Sequence, residues 1–165
     1  MSLDTRLTLD LASTLTGTAD LASVTSALAY PYRLKLPNGT AAGQASKVWA
    51  DHRSIPASSN DDIDLAGVLT DALGAALTFA RVKALVVRAA DTNVNNVVVG
   101  GASSTFATWN TGTNAAVVVR PSGLLVLAAP DATAYAVTAT SADLLRLTNS
   151  GAGTAVEYDI VVIGA

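Results

Sequence analysis

No cysteine occurs among the 165 residues, so disulfides and thiolate metal sites are both unavailable. Aromatic residues make up 5% of the chain and charged residues 14%, which leaves little for a stacking platform or a broadly charged surface. The ten Lys and Arg residues are scattered singly and the net charge is −3. That excludes the basic stripe a protein needs to neutralise phosphates, and no direct nucleic-acid partner is expected. No apolar run reaches the length of a membrane-crossing helix before a charge or glycine interrupts it. The opening MSLDTRLTLDL lacks the basic-then-apolar layout of a signal peptide. A soluble protein with no membrane partner is the expectation.

What the chain does have is small apolar residues. Half of it is hydrophobic, mostly Ala, Val and Leu, with Thr, Ser and Gly filling much of the rest. The mean hydropathy of +0.41 exceeds what one monomer of this size readily hides, which points to self-association. The length predicts a single domain with a proper core.

The strand signals are short and regularly punctuated. Tyr30, Tyr32, Leu34 and Leu36 alternate with Arg33 and Lys35, and Pro37-Asn38-Gly39 turns the chain. Strands are predicted over Ser46–Ser54 and Asn60–Leu65, joined by a turn at 55–59. The apolar succession Leu85, Val86, Val87 predicts a strand covered on both faces. Val82–Arg88 and Val97–Val99, bracketing the Asn-rich link 91–96, are expected to be adjacent antiparallel strands. Further strands are predicted over Ala115–Arg120, Leu124–Ala128, Tyr135–Thr138, Leu144–Thr148 and Val156–Ile163. Residues 66–81 contain Gly67 and Gly74 and are expected to form a loop with at most one or two helical turns. The spacing predicts an all-β sandwich or jelly roll over residues 30–165, with Val86, Leu125, Leu147 and Ile160 in its core.

Residues 1–29 read differently. Leu7, Leu9 and Leu11 alternate with Thr8 and Asp10, and Leu15 and Leu21 follow without a charged face or a sustained helical period. This segment is expected to be an extended arm whose leucines, Leu7, Leu9, Leu11, Leu15 and Leu21, require another surface. These five are the candidate assembly residues.

Candidates for chemistry are few. His52 is the only histidine, and in a strand its neighbours Asp51 and Arg53 point to the other face, so the three form no local catalytic group. No Gly-x-Ser-x-Gly elbow accompanies it. Asp62 and Asp64 share a strand face and, with Asp61, offer oxygen donors for a cation. The competing reading is a solvated strand face, because no calcium-binding loop surrounds them. Trp49, Trp109 and Tyr135 are either sugar-stacking rings or core aromatics. No enzyme activity and no cofactor is expected.

The segments DDIDLAGVLTDALGAALTFARVKALVV, NNVVVGGASSTFATW, VVVRPSGLLVLAAPDATAYAVTA and YDIVVIGA resemble a family of small virion proteins of tailed bacteriophages. The likeness covers about residues 45–165, and LTLDLASTLTGTADL is similar in style. It implies a structural part of the phage particle, made in the host cytoplasm. The role it suggests first is a decoration or cement protein that forms a homo-oligomer, expected to be a trimer, on the major capsid protein. The alternative is a tail or fibre component that recognises surface carbohydrate. The resemblance carries over no catalytic residues.

Overall fold

The computed structural model describes residues 2–67, 69–101, 106, 108, 109 and 115–165. Among these, thirteen strands and no helix occur. They are β1 (Asp4–Thr18), β2 (Ser23–Pro37), β3 (Lys47–Ile55), β4 (Asn60–Asp64), β5 (Leu69–Thr70), β6 (Ala76–Leu77) and β7 (Arg81–Ala89). They continue as β8 (Val97–Gly100), β9 (Ala116–Val119), β10 (Leu124–Ala128), β11 (Tyr135–Ala136), β12 (Leu144–Asn149) and β13 (Val156–Gly164). The all-β sandwich expected from turn spacing is what the chain forms.

Two sheets make the body. One runs β10-β7-β13-β3, with β11 added beside β7, and the other runs β4-β12-β8-β9. Every pairing within them is antiparallel. The core lies between the sheets. Leu85 and Val87 from β7, and Tyr158, Ile160 and Val162 from β13, meet Val97, Val99, Leu145 and Leu147 from the opposite sheet. β12 alternates strictly between half-buried and buried along Leu144–Asn149, as a strand facing a core on one side must.

The expected hairpin between Val82–Arg88 and Val97–Val99 does not form. β7 lies in the first sheet and β8 in the second, so residues 90–96 cross from one layer to the other. The asparagines there are latches. Asn93 donates to the Glu157 carbonyl at 2.8 Å and accepts from the Glu157 amide at 2.8 Å. Asn95 donates to the Thr154 carbonyl at 3.2 Å, and the Asn96 amide donates to Ser150 Oγ at 2.9 Å. These bonds hold the crossing against the neighbouring loop, where a hairpin turn would have bonded to itself.

Two of the four expected core residues are in the core. Leu147 and Ile160 are buried, whereas Val86 and Leu125 are half-buried. Leu125 points inward and packs on the core, but from an edge strand with a neighbour on one side only. Val86 faces outward: register places it on a rung with Val126, Val161 and Ala50, opposite in phase to the inward Leu85 and Val87. The outer face of β7 is therefore covered at one end only, around Ala84. A register shift next to Gly164 inserts Lys83 as an extra residue in β7, a bulge that lets both Val82 and Leu85 face the core. Gly164 is required there, since a Cβ would sit 2.1 Å from the Arg81 carbonyl oxygen.

Residues 66–81 form a small β5–β6 hairpin with no helical turn among the described residues. Asp71 closes it by accepting from the amides of Leu73 and Ala75, both at 2.9 Å, with Gly74 at φ +81°. The predicted strand over 135–138 shortens to Tyr135–Ala136, while Leu124–Ala128 stands where expected.

The core assignments carry an expected ranking. Leu147→Ala and Ile160→Ala should each destabilise the protein by about 2–5 kcal/mol. Leu125→Ala, already partly in solvent, should cost clearly less. Urea titrations followed by tryptophan fluorescence measure all three; equal losses would contradict the edge position of β10.

Candidate interaction surface

Residues 4–37 form one long hairpin. β1 and β2 pair through fifteen consecutive rungs, from Asp4↔Pro37 to Thr18↔Ser23. The loop Ala19–Ala22 closes the tip through the Ala19 amide and the Ala22 carbonyl at 2.8 Å. Ala29 and Tyr30, the expected limit between arm and domain, lie inside β2.

Antiparallel pairing puts opposite residues on the same face. Odd positions of β1 join even positions of β2: Leu7↔Leu34, Leu9↔Tyr32, Leu11↔Tyr30, Ser13↔Leu28, Leu15↔Ser26 and Gly17↔Val24. The other face carries Thr8, Asp10, Thr14 and Thr16 with Arg33, Ala29, Ala27 and Thr25. The hairpin is thus an amphipathic ribbon with one apolar side.

Only the root of that side is covered by the chain itself. Leu36 is buried, and Leu3, Leu7 and Leu34 pack half-buried against the cluster it forms with Ala84 and Ile163 on the outer face of the first sheet. Beyond the root none of the described residues covers it. Leu9 is 47% exposed, Leu11 54%, Leu15 75% and Leu21, in the tip loop, 99%. Of the five candidate assembly residues, Leu7 joins the root and the other four stand in solvent. Val24, Leu28, Tyr30 and Tyr32, on the second strand, are also exposed and belong to the same surface. Their signal was the alternation Val24, Ser26, Leu28, Tyr30, Tyr32, Leu34, Leu36, interrupted by one serine.

The polar candidates disperse. Arg53 grips Asp61 with two bonds, Nε to Oδ2 at 2.6 Å and Nη2 to Oδ1 at 2.9 Å, and reaches Asp51 at 3.0 Å. The buried Tyr158 hydroxyl donates to Asp61 Oδ2 at 2.8 Å. Asp62 is paired across the strands with Arg146, and Asp64 accepts from the Ala66 amide at 3.0 Å. The three carboxylates thus turn to separate partners, and no metal-holding group of acidic or histidine side chains occurs among the described residues. Partial burial opposes the Asp61 charge, but the bonds from Arg53 and Tyr158 outweigh it and hold its pKa below the usual carboxylate range. Burial, reinforced by Asp61, pushes the Tyr158 phenol well up.

His52 stands on the outer sheet face with its Nδ1 2.8 Å from Asp159 Oδ1, a partner 107 residues away that sequence reasoning did not find. That hydrogen bond raises the imidazole pKa. Arg88 flanks the same carboxylate at 3.8 Å. Both members of the pair are more than half exposed, on an open strand rung. Trp49 is buried, and Trp109 and Tyr135, both half-buried, pack against the core. Beside the hairpin root, Leu3, Val48, Leu73 and Leu77 line an apolar cleft of about 230 Å³, and Lys47 at its rim donates to the Thr78 carbonyl. Comparison with family models, with curated proteins and with solved structures finds no match to this chain.

Asp61→Asn should lower stability at pH 7 by about 1.5–3 kcal/mol, the range for hydrogen bonds to a charged group. Because the folded pKa of Asp61 is depressed, its contribution is complete above the unfolded carboxyl pKa and is lost as pH falls through the folded value. The gap between wild type and variant should therefore narrow below about pH 4. Denaturant midpoints from pH 7 to pH 3 test this, and a gap that widens on acidification would refute it.

Proposed function

We propose that this chain is a structural virion protein of a tailed bacteriophage, and within that class a head-decoration protein that self-associates through its N-terminal hairpin. The observation that carries the assembly role is the ribbon's uncovered apolar face. A two-stranded hairpin is marginal in water even when short, and one of fifteen rungs with a leucine-rich side gains its stability from a partner surface. Burying each of Leu9, Leu11, Leu15 and Leu28 is worth roughly 1.5–3 kcal/mol, enough to make association favourable.

The virion context rests on the resemblance of residues 45–165. The strand order β10-β7-β13-β3 facing β4-β12-β8-β9 supports it further. It matches the two interleaved Greek keys of a jelly roll, an architecture shared by viral capsid and lectin domains. Architecture alone does not choose between those two. The inward packing of Trp49, Trp109 and Tyr135 favours the structural reading over carbohydrate recognition.

Mass spectrometry of purified particles from the parent phage should find the chain in numbers that scale with the head shell. Particles made with a chain in which residues 8–33 are replaced by a two-residue turn should lose most of it, although the shortened protein keeps its unfolding midpoint. Absence from wild-type particles, or undiminished occupancy without the hairpin, would overturn the reading.

A further inference from the structure

Among the exposed large apolar side chains of the described residues, eight belong to the hairpin and its tip. Of the rest, Val48 and Leu73 line the small cleft beside the root, and Val94, Val117, Val118 and Leu124 lie elsewhere on the sandwich. The outer face of the first sheet offers one short apolar rung beyond the root, Val126, Val86, Val161 and Ala50, before the charged rung of Arg88, Asp159 and His52. No other described surface of this chain therefore equals the ribbon's apolar face in length. The same face of a second copy does match it in length and in apolar character.

Bulk is unevenly distributed along that face. The rungs next to the root, Leu9↔Tyr32 and Leu11↔Tyr30, carry two large side chains each. Ser13↔Leu28 is intermediate, and Leu15↔Ser26 and Gly17↔Val24 each pair a larger residue with a small one. Two ribbons packed in parallel would be forced apart at the root and leave a gap toward the tip. Packed antiparallel about Ser13↔Leu28, each heavy rung meets a light one, and the spacing stays even at the ~10 Å of face-packed sheets.

The ribbon's edges argue for contact by its face. Pro31 has no amide hydrogen, and with β1 paired continuously on one side, the missing donor falls on the free edge of β2. The free edge of β1 carries Asp4, Arg6 and Asp10 near the root, charges that discourage strand addition there.

We propose that the apolar face of the hairpin packs against that of a second copy, antiparallel, about a two-fold axis at the Ser13–Leu28 rung. This rests on the self-association part of the function proposed above. The contact strip is about 30 Å long and two strands, about 10 Å, wide. Its projected area of roughly 300 Å², before side-chain relief is counted, is a substantial share of the ~800 Å² per partner of a specific interface. The tip of each ribbon reaches the partner's root, so Leu21 comes to rest near the partner's half-buried Val86 and Val161 rung. The contact joins two monomers, or one closed ring to another.

The absence of cysteine makes a clean test possible in the full-length chain. Thr14→Cys and Thr18→Cys place a single spin label on the outward face, near the axis and near the tip respectively. Antiparallel pairing sets the axial separation between copies at about 7 Å for position 14 and about 34 Å for position 18. Pulsed dipolar spectroscopy should therefore give a short distance for the first and a markedly longer one for the second. Sedimentation should give an even-numbered oligomer, and Leu11→Asp should reduce it by at least half in mass with the sandwich unfolding unchanged. A wild-type chain at the monomer mass of 16.6 kDa at all concentrations, an odd-numbered oligomer, equal distances at the two positions, or an unaffected Leu11→Asp assembly would each overturn the proposal. These measurements need no particle. Pairing in solution by a chain absent from particles would uphold this contact while the virion reading fails.

Discussion

The register between β7 and β13 decides which side chains enter the sandwich and which stand outside it. Because side chains alternate along a strand, a slip of one residue would exchange the two sets completely. With Ile160 opposite Val87 and Val162 opposite Leu85, the inner face is apolar without interruption. The same pairing sets Ile163 opposite Ala84 on the outside, and that small hydrophobic step is where Leu7, Leu34 and Leu36 seat the hairpin. Body and hairpin are thus joined by the outer consequence of an inner register. The bulge at Lys83 belongs to the same arrangement. It lets the strand end change phase so that Val82 still points inward, while the displaced lysine is buried with its ammonium on the Asp131 carbonyl.

Polar groups are used to close the sandwich where apolar packing runs out. β3 and β4 lie at edges of different sheets, and Arg53 on one reaches Asp61 on the other. Tyr158, from the centre of the first sheet, completes the link with its hydroxyl. Charges turned inward at a sheet edge also discourage edge-to-edge pairing with other molecules. Asn149 performs a similar closure at the next corner. Its buried amide donates to carbonyls of Ile55, Pro56 and Thr154, tying the β3–β4 corner to the loop before β13. Among the described residues no buried side-chain polar atom is left without a partner. A chain with only 14% charged residues has few polar groups to spare, and those near the core are committed to holding the fold.

How much of this was legible follows from what kind of signal each feature leaves. Period-two alternation and Gly/Pro/Asn punctuation are local, so β3, β10, β12 and β13 could be placed nearly to the residue. Which sheet a strand joins is not local. The Asn-rich link 91–96 resembles a hairpin turn by composition, and only the partners of Asn93 and Asn95, some sixty residues away, make it a crossing. Val86 was misplaced for a related reason: three apolar residues in a row do not say which of them the second layer covers. The surface leucines Leu9, Leu11, Leu15 and Leu21 were identifiable as lacking a home, because too much apolar surface without charge is visible in composition. Their arrangement as one face of a ribbon was hidden by Ser13, Gly17 and Ser26, which interrupt the alternation at the positions where the face is thin. The His52–Asp159 pair could not have been found at all, since nothing local marks a partner on a distant strand.

Those interruptions are informative in their own right. An unbroken row of leucines and valines on two free-edged strands would stick to any apolar surface and would favour indiscriminate stacking. Small residues toward the tip and aromatic bulk toward the root give the face a shape, and a shaped face discriminates where a flat one does not. The threonines and alanines of the opposite side add no second apolar surface, so association through the face can end in a closed pair. The ribbon thus combines a strong general drive, the removal of leucine and tyrosine side chains from water, with a specific geometry set by where bulk is absent. In this protein the residues that weaken the hydrophobic pattern, Ser13, Gly17 and Ser26, are the ones that would define the partner.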